Sequence, residues 1–158
     1  VVLMDTEKAI LSALYTHITN DSQLDTICSG VRLGLIWTPK DETFPYLVHR
    51  FTAYADDSGI IQRADYFLDL WDYGDSATKI YSMRERAVAL LDKACIVQNG
   101  EGYAVVQSDE EMSGDLILAR LWLASFGLIP DDVDKIWHYS MTFSMRFTRS
   151  ITEITNLT

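Results

Sequence analysis

The side chains of this sequence that could do chemistry are scattered rather than convergent. Its three histidines, His17, His49 and His138, show no H-x-x-x-H or H-E-x-x-H spacing that would set two of them on one helix face for a metal. His49 alternates with apolar residues and reads as a core histidine with a hydrogen-bond partner. Cys28 and Cys95 each lie in apolar surroundings with no histidine at ligand spacing, so they read as buried free thiols rather than a zinc half-site or a disulfide. Carboxylates are paired at Asp56/Asp57, Asp65/Asp69, Glu110/Glu111 and Asp131/Asp132. General acid–base work needs two carboxyls converging on a pocket with split pKa values. Asp65 and Asp69 share a strand face but stand about 13 Å apart, at roughly 3.3 Å per residue. Asp131, Asp132 and Asp134 look like a piece of a calcium loop, yet the glycine and closing glutamate of an EF-hand are missing. Gly100-Glu101-Gly102 lacks the third glycine of a dinucleotide fingerprint and leads into a strand rather than a helix. No P-loop and no G-x-S-x-G occurs. These residues assign no catalytic group, no cofactor and no metal.

The frame that must position them is one domain, residues 1–158, long enough to bury a real core. Hydrophobic residues make up 48% of the chain, which excludes a disordered polymer. Thirteen Lys and Arg against twenty-three Asp and Glu leave a formal net charge of −10, opposite to the basic footprint that nucleic-acid readers need. No run of eighteen apolar residues is present, so no membrane-spanning helix is expected. The N-terminus lacks the basic stretch of a secretory signal, Met4 is a candidate natural start, and synthesis in the cytoplasm is the expectation.

Periodicity divides the chain further. Ile10, Leu11, Leu14, Tyr15 and Ile18 make one apolar face of a first helix, with Asp5 as its expected cap and Asn20-Asp21-Ser22 as its end. Leu24 and Ile27 predict one more short turn. Val31–Trp37 reads as a short strand or extended arm, and residues 38–45 as a loop with two prolines. Alternation predicts strands over Tyr46–Tyr54 and Gln62–Tyr73, joined into a hairpin by Asp56-Asp57-Ser58-Gly59. Gly74-Asp75-Ser76 then caps a second helix whose buried side is Ile80, Met83, Ala87, Leu90, Leu91 and Ala94, a segment running to Asn99-Gly100. A strand is expected at Tyr103–Gln107; Leu116–Phe126 is apolar on both faces and could be a buried strand or a helix, with the strand favoured by the brackets of Gly114 and Gly127 and by Trp122 and Phe126. Lys135–Ile151 is a long strand, with Trp137, Tyr139, Met141, Phe143, Met145 and Phe147 on one parity and a hydroxyl-rich set on the other. The expected fold is α+β: an antiparallel β-sheet with two α-helices packed on one face, plus an extended arm or hairpin.

This order of elements resembles a known group. A first helix precedes Phe44-Pro45-Tyr46-Leu47-Val48, a P-Y-x-V start to a strand. A hairpin follows whose second strand ends in Leu70-Trp71-Asp72, then the periodic second helix. Trp137-His138-Tyr139 leads a final strand ending in Arg146-Phe147. The pattern, over roughly Asp5 to Thr148, resembles the tail-completion and tail-terminator proteins of long-tailed bacteriophages, which join tail to head. The stretch from Leu116 to Asp134 departs from it and looks like an extra hairpin.

The resemblance implies a virion protein of the tail or neck without catalytic residues. It implies a homohexameric ring that caps the tail tube, stops its growth and meets the head–tail connector protein. Its partners would be further copies of itself, the tail tube protein and the connector, with no membrane; DNA would pass through without specific binding. Exposure logic puts the candidate subunit interface at Ile36, Trp37, Phe44, Arg146 and Thr148. Acidic loops at Asp56, Asp57, Asp109, Glu110 and Glu111 are candidates for a DNA-repelling lumen, against the plainer reading that they keep the protein soluble. The alternatives are a head-completion, neck or tail-tube subunit, or, in a different class, a small ligand-binding or enzymatic α+β domain with Trp37, Trp71, Trp122 and Trp137 lining a pocket.

Overall fold

A computed structural model describes residues 2–38, 43–54, 61–99, 102–107, 116–131 and 133–148. Three helices, α1 (Val2–Thr19), α2 (Ser22–Cys28) and α3 (Thr78–Leu91), accompany seven strands. The strands are β1 (Leu33–Leu35), β2 (Tyr46–Ala53), β3 (Ile61–Tyr73), β4 (Cys95–Asn99), β5 (Gly102–Val106), β6 (Leu116–Ile129) and β7 (Ile136–Thr148). They form one sheet in the order β1-β2-β3-β7-β6-β4-β5. Every pairing is antiparallel except that of β1 with β2.

The long alternating runs fold as their pattern demands. β3 and β7 pair over their full length, from Ile61↔Thr148 to Tyr73↔Ile136. Tyr66, Leu68 and Leu70 of β3 stand in rows with Phe143, Met141 and Tyr139 of β7, and all six are buried. These side chains join Ile10, Leu14 and Ile18 of α1, Leu24 of α2, and Ile80, Met83 and Leu91 of α3 in one apolar cluster. Full burial of each such side chain is worth about 1.5–3 kcal/mol.

Several expectations need correction. The sheet is mixed rather than antiparallel, because the arm after Gly30 returns alongside β2 in the same direction; among the described residues the short turn expected at Leu24 and Ile27 forms a third helix beside the two long ones. α1 begins at Val2, so Asp5 lies inside it. The cap that does form is Asp21, whose Oδ2 accepts the Leu24 N–H at 2.8 Å and starts α2. The second predicted helix ends at Leu91, not near Asn99. Lys93 takes a φ of 62°, and the chain re-emerges as β4. Cys95, Ile96 and Val97 are buried on both faces of the sheet, and a continuous apolar run carries no period to distinguish strand from helix. The segment read as an extra hairpin is the single strand β6, which itself forms a hairpin with β7 and borders β4.

Two polar contacts tie the layers together. Arg86 of α3 grips Asp21 with both ends of its fork, Nε to Oδ2 at 2.8 Å and Nη2 to Oδ1 at 2.6 Å. The hydrogen bonds from Arg86 hold the Asp21 carboxyl below its usual range. One carboxylate thereby caps α2 and pins it to α3. Inside the core, the Tyr66 hydroxyl lies 2.7 Å from His49 Nδ1, the buried partner that the alternation of β2 calls for. Burial pushes the His49 pKa from 6.5 down to about 4.

Two outcomes follow. Asp21→Ala should cost about 2–3 kcal/mol, since it removes a cap and a charge-assisted pair. Urea denaturation reads that cost, and a cycle with Arg86→Ala should show strong coupling between the two. Unfolded His49 takes up a proton near 6.5 and folded His49 only near 4, so between those values the unfolded chain binds more protons and stability is lost as the pH falls. Denaturation at pH 7 and pH 4.5 should differ by about 2 kcal/mol from this group, and His49→Gln should flatten the difference.

Candidate interaction surfaces

The titratable groups are committed to local structure. His17 Nε2 lies 3.0 Å from the Leu90 carbonyl, and burial lowers its pKa. His138 stacks on Trp71 with ring centroids 3.7 Å apart and reaches Asp69 at 3.3 Å. Partial burial pushes the Asp69 pKa up, but the neighbouring His138 and Ser140 side chains outweigh it and leave the pKa lowered. Asp65 accepts a hydrogen bond from the Tyr54 hydroxyl. Asp65 and Asp69 of β3 are therefore held by separate neighbours and do not converge. Cys28 and Cys95 are buried and not disulfide-bonded, and burial drives the Cys28 thiol up to about 11, far from a reactive thiolate. Among the described residues, no three His, Cys, Asp or Glu side chains gather as a metal site. The four tryptophans do not share a pocket wall. Trp137 alone lines one, of about 490 Å³, beside Leu128, Ile129 and Val133 at the β6–β7 connection. A further pocket, of about 550 Å³, runs between α1 and β5 over small side chains such as Ala9, Ser12 and Ala13.

What the surface offers instead is apolar edges. β1 is the outermost strand on one side of the sheet, and Leu35, Ile36 and Trp37 are 49, 59 and 78% exposed there. Ile36 is held at a φ of 66°, a conformation costly for a β-branched residue. Its N–H bonds to the His49 carbonyl at 2.8 Å, and the Trp37 N–H bonds to that of Leu35 at 2.7 Å. Those bonds turn the arm so that Trp37 points outward. Phe44, also expected at an interface, is half-buried and packs on Tyr46 and Tyr73 of its own chain, with centroids 5.1 and 6.0 Å away.

Arg146 is exposed on the opposite face of the sheet, as its parity predicted, and Thr148 is half-buried at the end of β7. Register adds what the sequence did not show: Arg146 stands directly between Arg63 of β3 and Arg120 of β6. Like charges opposed across strands disfavour the pairing. A basic row on so acidic a chain therefore marks this end of the sheet. The acidic loops at Asp56, Asp57 and Asp109 to Glu111 lie outside the described residues.

β6 supplies a second edge that sequence reasoning missed. β4 covers it only from Leu116 to Arg120, and the Leu121 and Leu123 N–H groups are taken by Ala94 O at 3.0 Å and Asp92 Oδ1 at 2.9 Å. Beyond a bulge between Leu123 and Ser125, the strand continues to Ile129 with no described neighbour on its outer side. Phe126, Leu128 and Ile129 are 55, 40 and 43% exposed along it. The available signal was the absence of clean alternation over this stretch.

No protein-family model and no curated protein matches the sequence. Among solved structures, the fold is similar to that of a chain in the virion of a native gene transfer agent particle, with a TM-score of 0.65 at 12% identity. The likeness covers 90% of this chain and 97% of that one, so the two share a fold nearly from end to end.

Proposed function

We propose that this protein is a structural component of a phage-like virion, and within it a ring-forming tail terminator that caps the tail tube and joins it to the head connector. The observation that carries the reading is the end-to-end likeness of its fold to a chain of the gene transfer agent virion. The order of its elements, which resembles the tail-completion group, supports the finer reading as a terminator. Two features of the surface support assembly over catalysis. The histidines and the Asp65 and Asp69 carboxylates are tied up in packing, and exposed apolar side chains concentrate on strand edges. Strand edges left open in a monomer are sites where another chain can pair. On this reading the subunits form a homohexamer in the tail or neck, and DNA passes through its lumen without specific binding. The acidic loops would face that channel, where they would repel phosphates.

The test is tube length. Tail tubes assembled without this protein should grow past their normal length, and adding it back should restore the limit. Tubes of normal length in its absence would end the terminator role.

A further inference from the structure

The two open edges are related by register in a way that an accidental pair would not be. Following the pairings across the sheet, Leu35 of β1 sits in one row with His49, Leu68, Met141 and, at the far end, Phe126 of β6. The three inner members are 3, 0 and 0% exposed, while the two ends are 49 and 55% exposed. The row two residues away runs from Leu33 through Leu47, Leu70 and Tyr139 to Leu128. Both rows lie on the face that carries the core, so each is a buried apolar stripe that stops short at a strand edge.

Backbone polarity matches as well. In β1 the Arg32 carbonyl and the Ile36 N–H point at β2. By alternation, the Leu33 and Leu35 backbone groups point away from the sheet. In β6 the outward N–H of Leu123 makes Trp122↔Ser144 a pair that bonds inward. Ser140 and Thr142 keep that parity on β7, so their partners Gly127 and Ser125 also bond inward. Phe126 and Leu128 are then the residues whose backbone groups point away. Strand directions agree too: β1 runs with β2, and three antiparallel steps later β6 runs opposite to it.

We infer that β1 of one copy pairs antiparallel with the open end of β6 of the next, with Leu35 opposite Phe126 and Leu33 opposite Leu128. Both pairs are of the type that exchanges two backbone hydrogen bonds, and their side chains continue the buried rows from copy to copy. The contact is head-to-tail, using two different surfaces of one chain, and such contacts build rings or filaments rather than dimers. Because the paired residues stand at the same level of the sheet, successive copies join without a step along the strands, which favours closure. This deepens the ring reading and rests on it for the closure alone.

Cysteine trapping tests the contact, since both positions are exposed and Cys28 and Cys95 are buried. Under mild oxidation at high protein concentration, Leu35→Cys/Phe126→Cys should give a covalent ladder on non-reducing gels. A mixture of the two single variants should give dimers and nothing larger. Each single variant alone should stay monomeric, as should the parent chain, with circular dichroism confirming the fold of every variant. A double variant with no ladder would overturn the contact, as would dimers from Leu35→Cys or Phe126→Cys alone. A ladder that stops at six copies supports both the contact and the ring. A ladder that runs on without limit supports the contact and removes the hexameric ring.

Discussion

The thirteen-residue match between β3 and β7 is the constraint on which the rest of this structure depends. It is the longest pairing in the sheet and lies near its middle, with β2 on one side and β6 on the other. Because strand side chains alternate with period two, a slip of one residue would turn Tyr66, Leu68 and Leu70 to the opposite face from the Phe143, Met141 and Tyr139 they now meet. That penalty fixes the register, and the register fixes the rows. The helices then cover the apolar face that the inner members of those rows make, with Arg86 and Asp21 setting how α2 sits against α3.

The parts of the fold that were legible are those where the period is unambiguous. β2, β3 and β7 each bury one parity against water on the other, and that contrast is written in the residue types. β4 was not legible, because Cys95-Ile96-Val97 is apolar on both faces and follows a true helix without a glycine or proline to separate them. The parallel course of β1 could not be read either, since three residues carry too little pattern to show direction. For the candidate surfaces, Ile36, Trp37 and Arg146 stood out as apolar or charged residues in exposed positions. Their companions did not. Arg63 and Arg120 join Arg146, and Phe126 aligns with Leu35, only through pairings between strands distant in sequence.

The two edges also show how the chain limits indiscriminate pairing. A long flat apolar edge is an aggregation hazard, and proteins blunt such edges with short strands and bulges. β1 is only three residues long and is ended by the strained turn at Ile36. The open part of β6 begins at a bulge, and its first half is closed by β4 and by the Asp92 carboxylate. What remains exposed is a short stretch on each side, with apolar side chains at matching levels. A slip of one residue would set Leu35 opposite Ser125 or Gly127 and put the apolar side chains of the two copies on opposite faces, so part of the selectivity lies in the side chains rather than in the hydrogen bonds.

A contact of this size has a consequence for assembly. Two-stranded pairing over three residues is marginal on its own in water, so a single junction between two copies holds only weakly. Closure changes the arithmetic, because the last junction of a ring forms between ends already held near each other, at an effective concentration far above that of free subunits. Weak junctions that close cooperatively give a protein that stays dispersed until something gathers its copies, and the end of a tail tube is such a template on the reading proposed here. The strained arm fits the same logic: Ile36 spends conformational energy in the isolated chain to hold Trp37 outward, so that the knob is already in place when the neighbouring edge arrives.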